Sequence, residues 1–316
     1  MAYQNVSTPR FYVDHGLWLY SIGEFTPPDA VSSLIHLNPS NVRQLGNTYL
    51  DVPRKAPMNY IAFLGTEDST TNPVGYYPEW SGGSTESGFT EIVNCNGYGS
   101  TPETYNGFSM ATFDDDPNST YLRGAMVYDA KCGAISIGST YEMPHAPNLS
   151  LVISREYGGT NELTTYNGGS ISNTMGNSPP KWGNLGAWEL DSGNPTLSKS
   201  WRRTWNLEFS YIDDGNLWGS NQSLNTLRQD PSDGSDDDDI DTDSANFVDT
   251  ILTDDNFFSQ VWHKTLGGTL SFIFQPDKNN NNPDQFAICR FKDNSLKSTQ
   301  SAVNVYDISL SIEEVW

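Results

Sequence analysis

The run Asp230-Pro231-Ser232-Asp233-Gly234-Ser235-Asp236-Asp237-Asp238-Asp239-Ile240-Asp241-Thr242-Asp243 holds eight of the chain's 39 acidic residues. Asp237, Asp239, Asp241 and Asp243 alternate along it. Carboxylate oxygens are the donors that a hard cation such as calcium takes. The run lacks the sixth-position glycine and the distal glutamate of an EF-hand loop. Its other reading is a solvated loop whose charges repel one another. Calcium is therefore the one candidate cofactor, and apart from it none is expected.

Other chemistry is sparse. No GxSxG elbow, HExxH pair, P-loop or CxxC pattern occurs. The four histidines, His15, His36, His145 and His263, are scattered without ligand spacing. His263 follows Trp262 in an apolar stretch with helical spacing, where a partly positive ring suits a helix C-terminus. Glycan hydrolysis needs two carboxylates roughly 5–9.5 Å apart. Glu67/Asp68, Asp114/Asp115/Asp116 and Asp213/Asp214 are the available clusters, but acids of this kind line many surfaces. No catalytic residue is assigned, and the chain is read as non-enzymatic. Gly75-Tyr76-Tyr77-Pro78-Glu79-Trp80 is the best sugar-binding candidate: rings of Tyr76, Tyr77 and Trp80 offer flat apolar faces, and an acid stands beside them to hold hydroxyls. The alternative is that this segment packs on a sheet.

Composition sets the frame for these residues. The net charge is −22, which opposes sequence-independent nucleic-acid binding and docking on anionic lipid. Cys95, Cys132 and Cys289 are odd in number and form no paired framework, as expected of buried thiols in a reducing compartment. Met1 to Tyr20 lacks a basic leader and carries Asp14, so it does not read as a signal peptide. No apolar run approaches the ~20 residues of a membrane span. Aromatics are 12% and charged residues only 18%, a mix that favours short strands joined by turns.

The chain reads as mainly β, in two parts with a soft boundary near residues 145–160. Residues 1–150 read as a β-sandwich or jelly roll, of galactose-binding type by fold-level analogy alone, and peripheral or ligand-binding. Tyr60–Leu64 is a short buried strand, and Tyr121–Tyr128 and Ala134–Ile137 read as sheet neighbours. Phe11–Tyr20 fits either a strand or a short helix. Residues 151–316 read as a β-rich assembly domain. Leu149–Ser154 is a strand, and alternation places Trp205, Leu207, Phe209 and Tyr211 on one face. Phe247, Val248, Ile251, Leu252, Phe258, Val261 and Trp262 predict one or two short helices at about 245–265, with Ser244 and Thr253 or Asp254 as N-caps. Gly267-Gly268 then turns the chain. Leu270–Gln275 and Gln285–Phe291 form a strand pair, and Val303–Ile312 is a last strand with Tyr306, Ile308, Leu310 and Ile312 on one face.

The order of these segments is recognisable. Trp205–Tyr211, Asn256-Phe257-Phe258-Ser259-Gln260, Gly267 to Asp277, Phe286–Phe291 and a strand ending Glu313-Glu314-Val315-Trp316 follow one another. This order resembles the distal tail and minor tail proteins of tailed bacteriophages. Met1–Val6, Asn59–Gly65 and Gly138–Leu149 are similar to virion proteins of marine phages. The resemblance implies a virion structural protein made in the host cytoplasm. It implies a tail component (distal tail, baseplate or tail tip) forming a ring, trimer or hexamer with other tail proteins around it. The terminal strand, with Val303, Val305, Asp307 and Trp316, is the expected assembly contact, either extending a neighbour's sheet or pairing only within its own domain. A receptor- or carbohydrate-binding virion protein that meets host surface glycan, and a capsid decoration protein, are the alternatives.

Overall fold

The computed structural model describes residues 5–39, 41–44, 48–66, 75–80, 90–93, 108–127, 131–156, 160–174, 202–219, 222–224, 247–282 and 285–315. In chain order the strands are β1 Arg10–Asp14, β2 Arg43–Gln44, β3 Thr48–Pro53, β4 Tyr60–Leu64, β5 Gly75–Trp80, β6 Thr90–Val93, β7 Phe108–Thr112, β8 Tyr121–Val127, β9 Lys131–Cys132 and β10 Ala134–Glu142. They continue as β11 Val152–Glu156, β12 Thr160–Thr164, β13 Ser170–Thr174, β14 Arg202–Asp213, β15 Gln222–Leu224, β16 Phe247–Asp249, β17 Phe272–Gln275, β18 Ala287–Phe291, β19 Ser298–Ala302 and β20 Val305–Glu314. Helices α1 His15–Ser21 and α2 Asp214–Leu217 are short, and a π-helical turn spans Phe258–His263.

The molecule is mainly β and is built on one antiparallel sheet. Its order is β11-β14-β20-β18-β17-β1-β10-β4-β7-β6, with β19 also paired to β20. β1 is the hinge of this order: Phe11 faces Tyr141 of β10 on one side and Phe274 of β17 on the other. The main sheet thus crosses the boundary expected at residue 150 without a break. A composition shift cannot reveal a strand with both edges filled by distant segments.

Alternation sorts the core onto two faces. Phe11 and Val13 point into one cluster with Trp205, Leu207, Phe209, Phe272 and Phe274. Tyr12 points the other way, with Tyr60, Ala62, Leu64 and Ile273. β4 is buried at every residue, which is why Tyr60–Leu64 is a continuous apolar run rather than an alternating one. β3, β8 and β5 form a second sheet laid on β4 and β10, giving the first part its sandwich. A Cβ at Gly124 of β8 would stand 3.0 Å from Ile135 and 3.3 Å from Ile137. Tyr121–Val127 and Ala134–Ile137 therefore pack face to face and are not the sheet neighbours expected, since β10 takes β1 and β4 as its edges.

Three local expectations also change. Phe11–Tyr20 is both a strand and a helix, because the Asp14 carboxylate caps α1 by accepting from the Leu17 amide at 2.9 Å. In the 245–265 stretch, Phe247 and Val248 belong to β16, and the helical part shrinks to the π-turn. Asn256, rather than Thr253 or Asp254, caps it by accepting from the Ser259 amide; Ser244 lies outside the described residues. Tyr211 leaves the face of Trp205, Leu207 and Phe209: a register shift between Phe209 and Ile212 turns it outward at φ +64°, and Ile212 fills the core instead. Gly267 and Gly268 reverse the chain with φ +67° and +84°, as expected. β17 pairs with β18, also as expected. The expected strand from Leu149 starts later, at Val152, and Leu149 itself is fully exposed.

Candidate functional site

A chain of buried polar side chains runs where β1, β10 and the π-turn meet. Gly138 makes the approach possible, since a Cβ there would sit 2.0 Å from the Val13 carbonyl and 2.8 Å from the His15 nitrogen. His15 Nε2 lies 2.9 Å from Ser139 Oγ. Ser139 Oγ donates to Gln260 Oε1 at 3.2 Å, and Lys264 Nζ donates to the same oxygen at 2.7 Å. Gln260 Nε2 donates to the Asp254 carbonyl at 2.7 Å, which fixes the orientation of its amide.

Burial governs the charges here. It pushes the Asp14 carboxyl up to about 7, against hydrogen bonds from Leu17, Ser136, Gly16 and Ile137. It pushes Lys264 down to about 7, against the pull of Asp255 and Asp115. Burial and then Lys264 hold His15 well below its ordinary value. Burial and then Asp14 hold the Tyr60 phenol well above its own. The buried thiol of Cys132 rises to about 12, and that of Cys289 also rises, both by burial; neither supplies a thiolate nucleophile.

The hydrogen-bond directions decide what this chain of groups can do. Ser139 directs its proton to Gln260, so the His15 N–H must donate to Ser139. A serine nucleophile needs the reverse, with its proton directed at the imidazole. The arrangement holds segments together rather than activating a hydroxyl. Sequence reading missed it because its members are far apart in the chain. The available signal was Asp14-His15 inside an apolar stretch and Lys264 just after Val261-Trp262.

Ser139 and Gln260 also form the floor of an open cleft of about 600 Å³. Asn59, Asp114, Asn216 and Asp255 line its sides. Two of its acids are already paired: Asp115 takes Arg54 at 2.9 and 2.5 Å, and Glu142 takes Arg10 and Lys278. Asp114 and Asp255 are exposed.

Of the residues expected to act, Tyr76, Tyr77 and Trp80 belong to β5, whose backbone pairs with β8. Asp237, Asp239, Asp241 and Asp243 lie outside the described residues, as do Glu67, Asp68 and Trp316. Among the described residues no group of three or more His, Cys, Asp or Glu could hold a metal. Val305 and Asp307 lie in β20. Among the described residues β20 is flanked on both sides, by β14 along one edge and by β18 and β19 along parts of the other, so where it is paired it presents no open ladder to a neighbour's sheet. Val303, in the adjoining turn, is 84% exposed. Asp307 instead serves its own domain, where its Oδ1 accepts from the Tyr211 amide at 3.0 Å and holds the bulge.

A contact element appears instead in β12 and β13. They form a hairpin of their own, with Leu163 opposite Ile171. The turn is tight: Thr165 O accepts from Gly168, Thr165 N–H donates to Gly169 O at 2.7 Å, and Gly168 sits at φ +77°. This is a three-residue loop with its glycine in the left-handed region. Leu163 is 69% exposed, Ile171 59%, and Tyr166 at the tip fully so. No protein-family model, curated protein or solved structure matches the chain.

Proposed function

We propose that the chain is a structural subunit of a tailed-phage particle, a tail component of the distal tail, baseplate or tail tip that closes symmetric contacts with copies of itself. The observation that carries this reading is the β12–β13 hairpin. An isolated two-stranded hairpin is marginal in water, and this one exposes Leu163, Ile171 and Tyr166. Such an element is suited to being covered by a neighbouring subunit. The order of segments from Trp205 to Trp316 supports the tail position. The net charge of −22 suits a surface that DNA passes without sticking. Negative-stain microscopy of the purified chain at high concentration tests this: ring-like oligomers are expected, and a uniform field of monomers contradicts it.

A second reading, contact with host glycan, is favoured by the cleft. Asn59, Asn216, Asp114 and Asp255 present amides and carboxylates that can hold sugar hydroxyls. Glycan-array binding that is lost in Asp255→Ala is expected on this reading, and an array without signal removes it.

A further inference from the structure

The hairpin's own ladder shows which of its backbone groups β12–β13 pairing leaves unused. Counted from the Thr165–Gly169 bond, antiparallel pairs alternate between bonded and non-bonded. Leu163–Ile171 is then a bonded pair, and Glu162–Ser172 is not. The N–H and C=O groups of Ser170, Ser172 and Thr174 therefore point away from β12. Among the described residues β13 pairs with β12 alone. A Cβ built on Gly168 would meet nothing within 4 Å, and Tyr166 beside it is fully exposed.

We infer that β13 is a self-association edge, where two copies of the chain join by antiparallel β13–β13 pairing about a two-fold axis at Ser172. The inference rests on the reading of the chain as a self-assembling subunit and names one of its contacts.

Three features select this occupant. A two-stranded hairpin needs further strands for stability, and an antiparallel strand paired with its own copy is self-complementary by symmetry. Centred on Ser172, the outward groups meet in register: Ser172 with Ser172 of the second copy, and Ser170 with Thr174. Charge then chooses between the two edges. Thr160–Thr164 carries Glu162 at its middle, so pairing of β12 with itself would set two carboxylates face to face, which is destabilising. Ser170–Thr174 carries no charge. In a chain of net charge −22, an uncharged edge is where copies approach with least repulsion.

Sedimentation velocity across a concentration series, with Ser172→Pro, Ser172→Ala and Ser172→Cys, tests the contact. Proline removes an outward N–H that the hairpin does not use. Self-association at least about tenfold weaker, near 1.4 kcal/mol, is expected for Ser172→Pro, while Ser172→Ala keeps the wild-type constant. Under mild oxidation Ser172→Cys should give a disulfide-linked dimer, whereas Thr164→Cys, on the other strand of the hairpin, should not. Wild-type oligomers unchanged by Ser172→Pro, with no dimer from Ser172→Cys, would overturn the β13 contact and leave the assembly reading standing. A wild-type chain that stays monomeric throughout would overturn both.

Discussion

Among the described residues Lys264 has no opposite charge in hydrogen-bond contact; its ammonium meets the Gln260 amide oxygen. Its pKa falls from 10.5 to about 7 on folding through burial, so the native state holds fewer protons than the unfolded state between those values. Stability should therefore rise as pH rises from about 7 to 10.5. Asp14 acts with the opposite sign. Its folded pKa of about 7 lies above the ordinary 3.8, so its contribution falls as pH rises between them. His15 is depressed below 6.5, so its contribution is lost as pH drops beneath that value. Urea midpoints across pH should show the alkaline slope vanish in Lys264→Met and the Asp14 slope vanish in Asp14→Asn; unchanged slopes would contradict the burial of these groups. Arg203 and Glu314 are different, because they are buried but fully met. The guanidinium bonds both carboxylate oxygens, at 3.1 and 2.9 Å, and the Phe286 carbonyl at 3.1 Å. Removing one partner strands a buried charge, so Glu314→Gln should lower stability by about 3–5 kcal/mol in denaturant unfolding, while an effect near zero would mean the pair is open to water.

Among the elements, the main sheet depends on close approaches that only certain residues permit. Gly138 lets β1 pass into His15 beside β10; a methyl there would meet the Val13 carbonyl at 2.0 Å. Gly138→Ala should cost at least the ~1–3 kcal/mol of ordinary overpacking, read as a fall in thermal midpoint. Tyr211 shows stored strain, at φ +64° with its side chain 79% exposed. Tyr211→Gly should relieve about 1 kcal/mol in the same measurement, and a loss of stability would show that the ring packs. These two positions also mark how far sequence can be read. Tyr60–Leu64, the β17–β18 pair and the Gly267-Gly268 turn were legible because short apolar runs and glycine pairs act locally. The outward turn of Tyr211 was not, since a register shift is set by the partner strand. The buried Asp14, His15, Ser139, Gln260 and Lys264 were not legible either. They converge from three segments, and no spacing rule links residue 15 to 139 or 260.

For the whole molecule, charge and contact oppose each other. A net charge of −22 makes copies repel, with a range near 10 Å at 0.1 M salt. If copies meet through the uncharged β13 edge, added salt should strengthen association by screening that repulsion. Weaker association in salt would point to ion pairs at the contact instead. Calcium bears on the same balance: if the Asp230–Asp243 run binds it, calorimetry should register heat and the thermal midpoint should rise, whereas silence in both leaves a solvated loop. The proposed tail position is tested most directly by challenging purified tailed-phage particles with a gold-conjugated antibody raised against this chain. Gold at the far end of the tail is expected; particles that carry no label, or label on the head alone, would contradict a place in the tail.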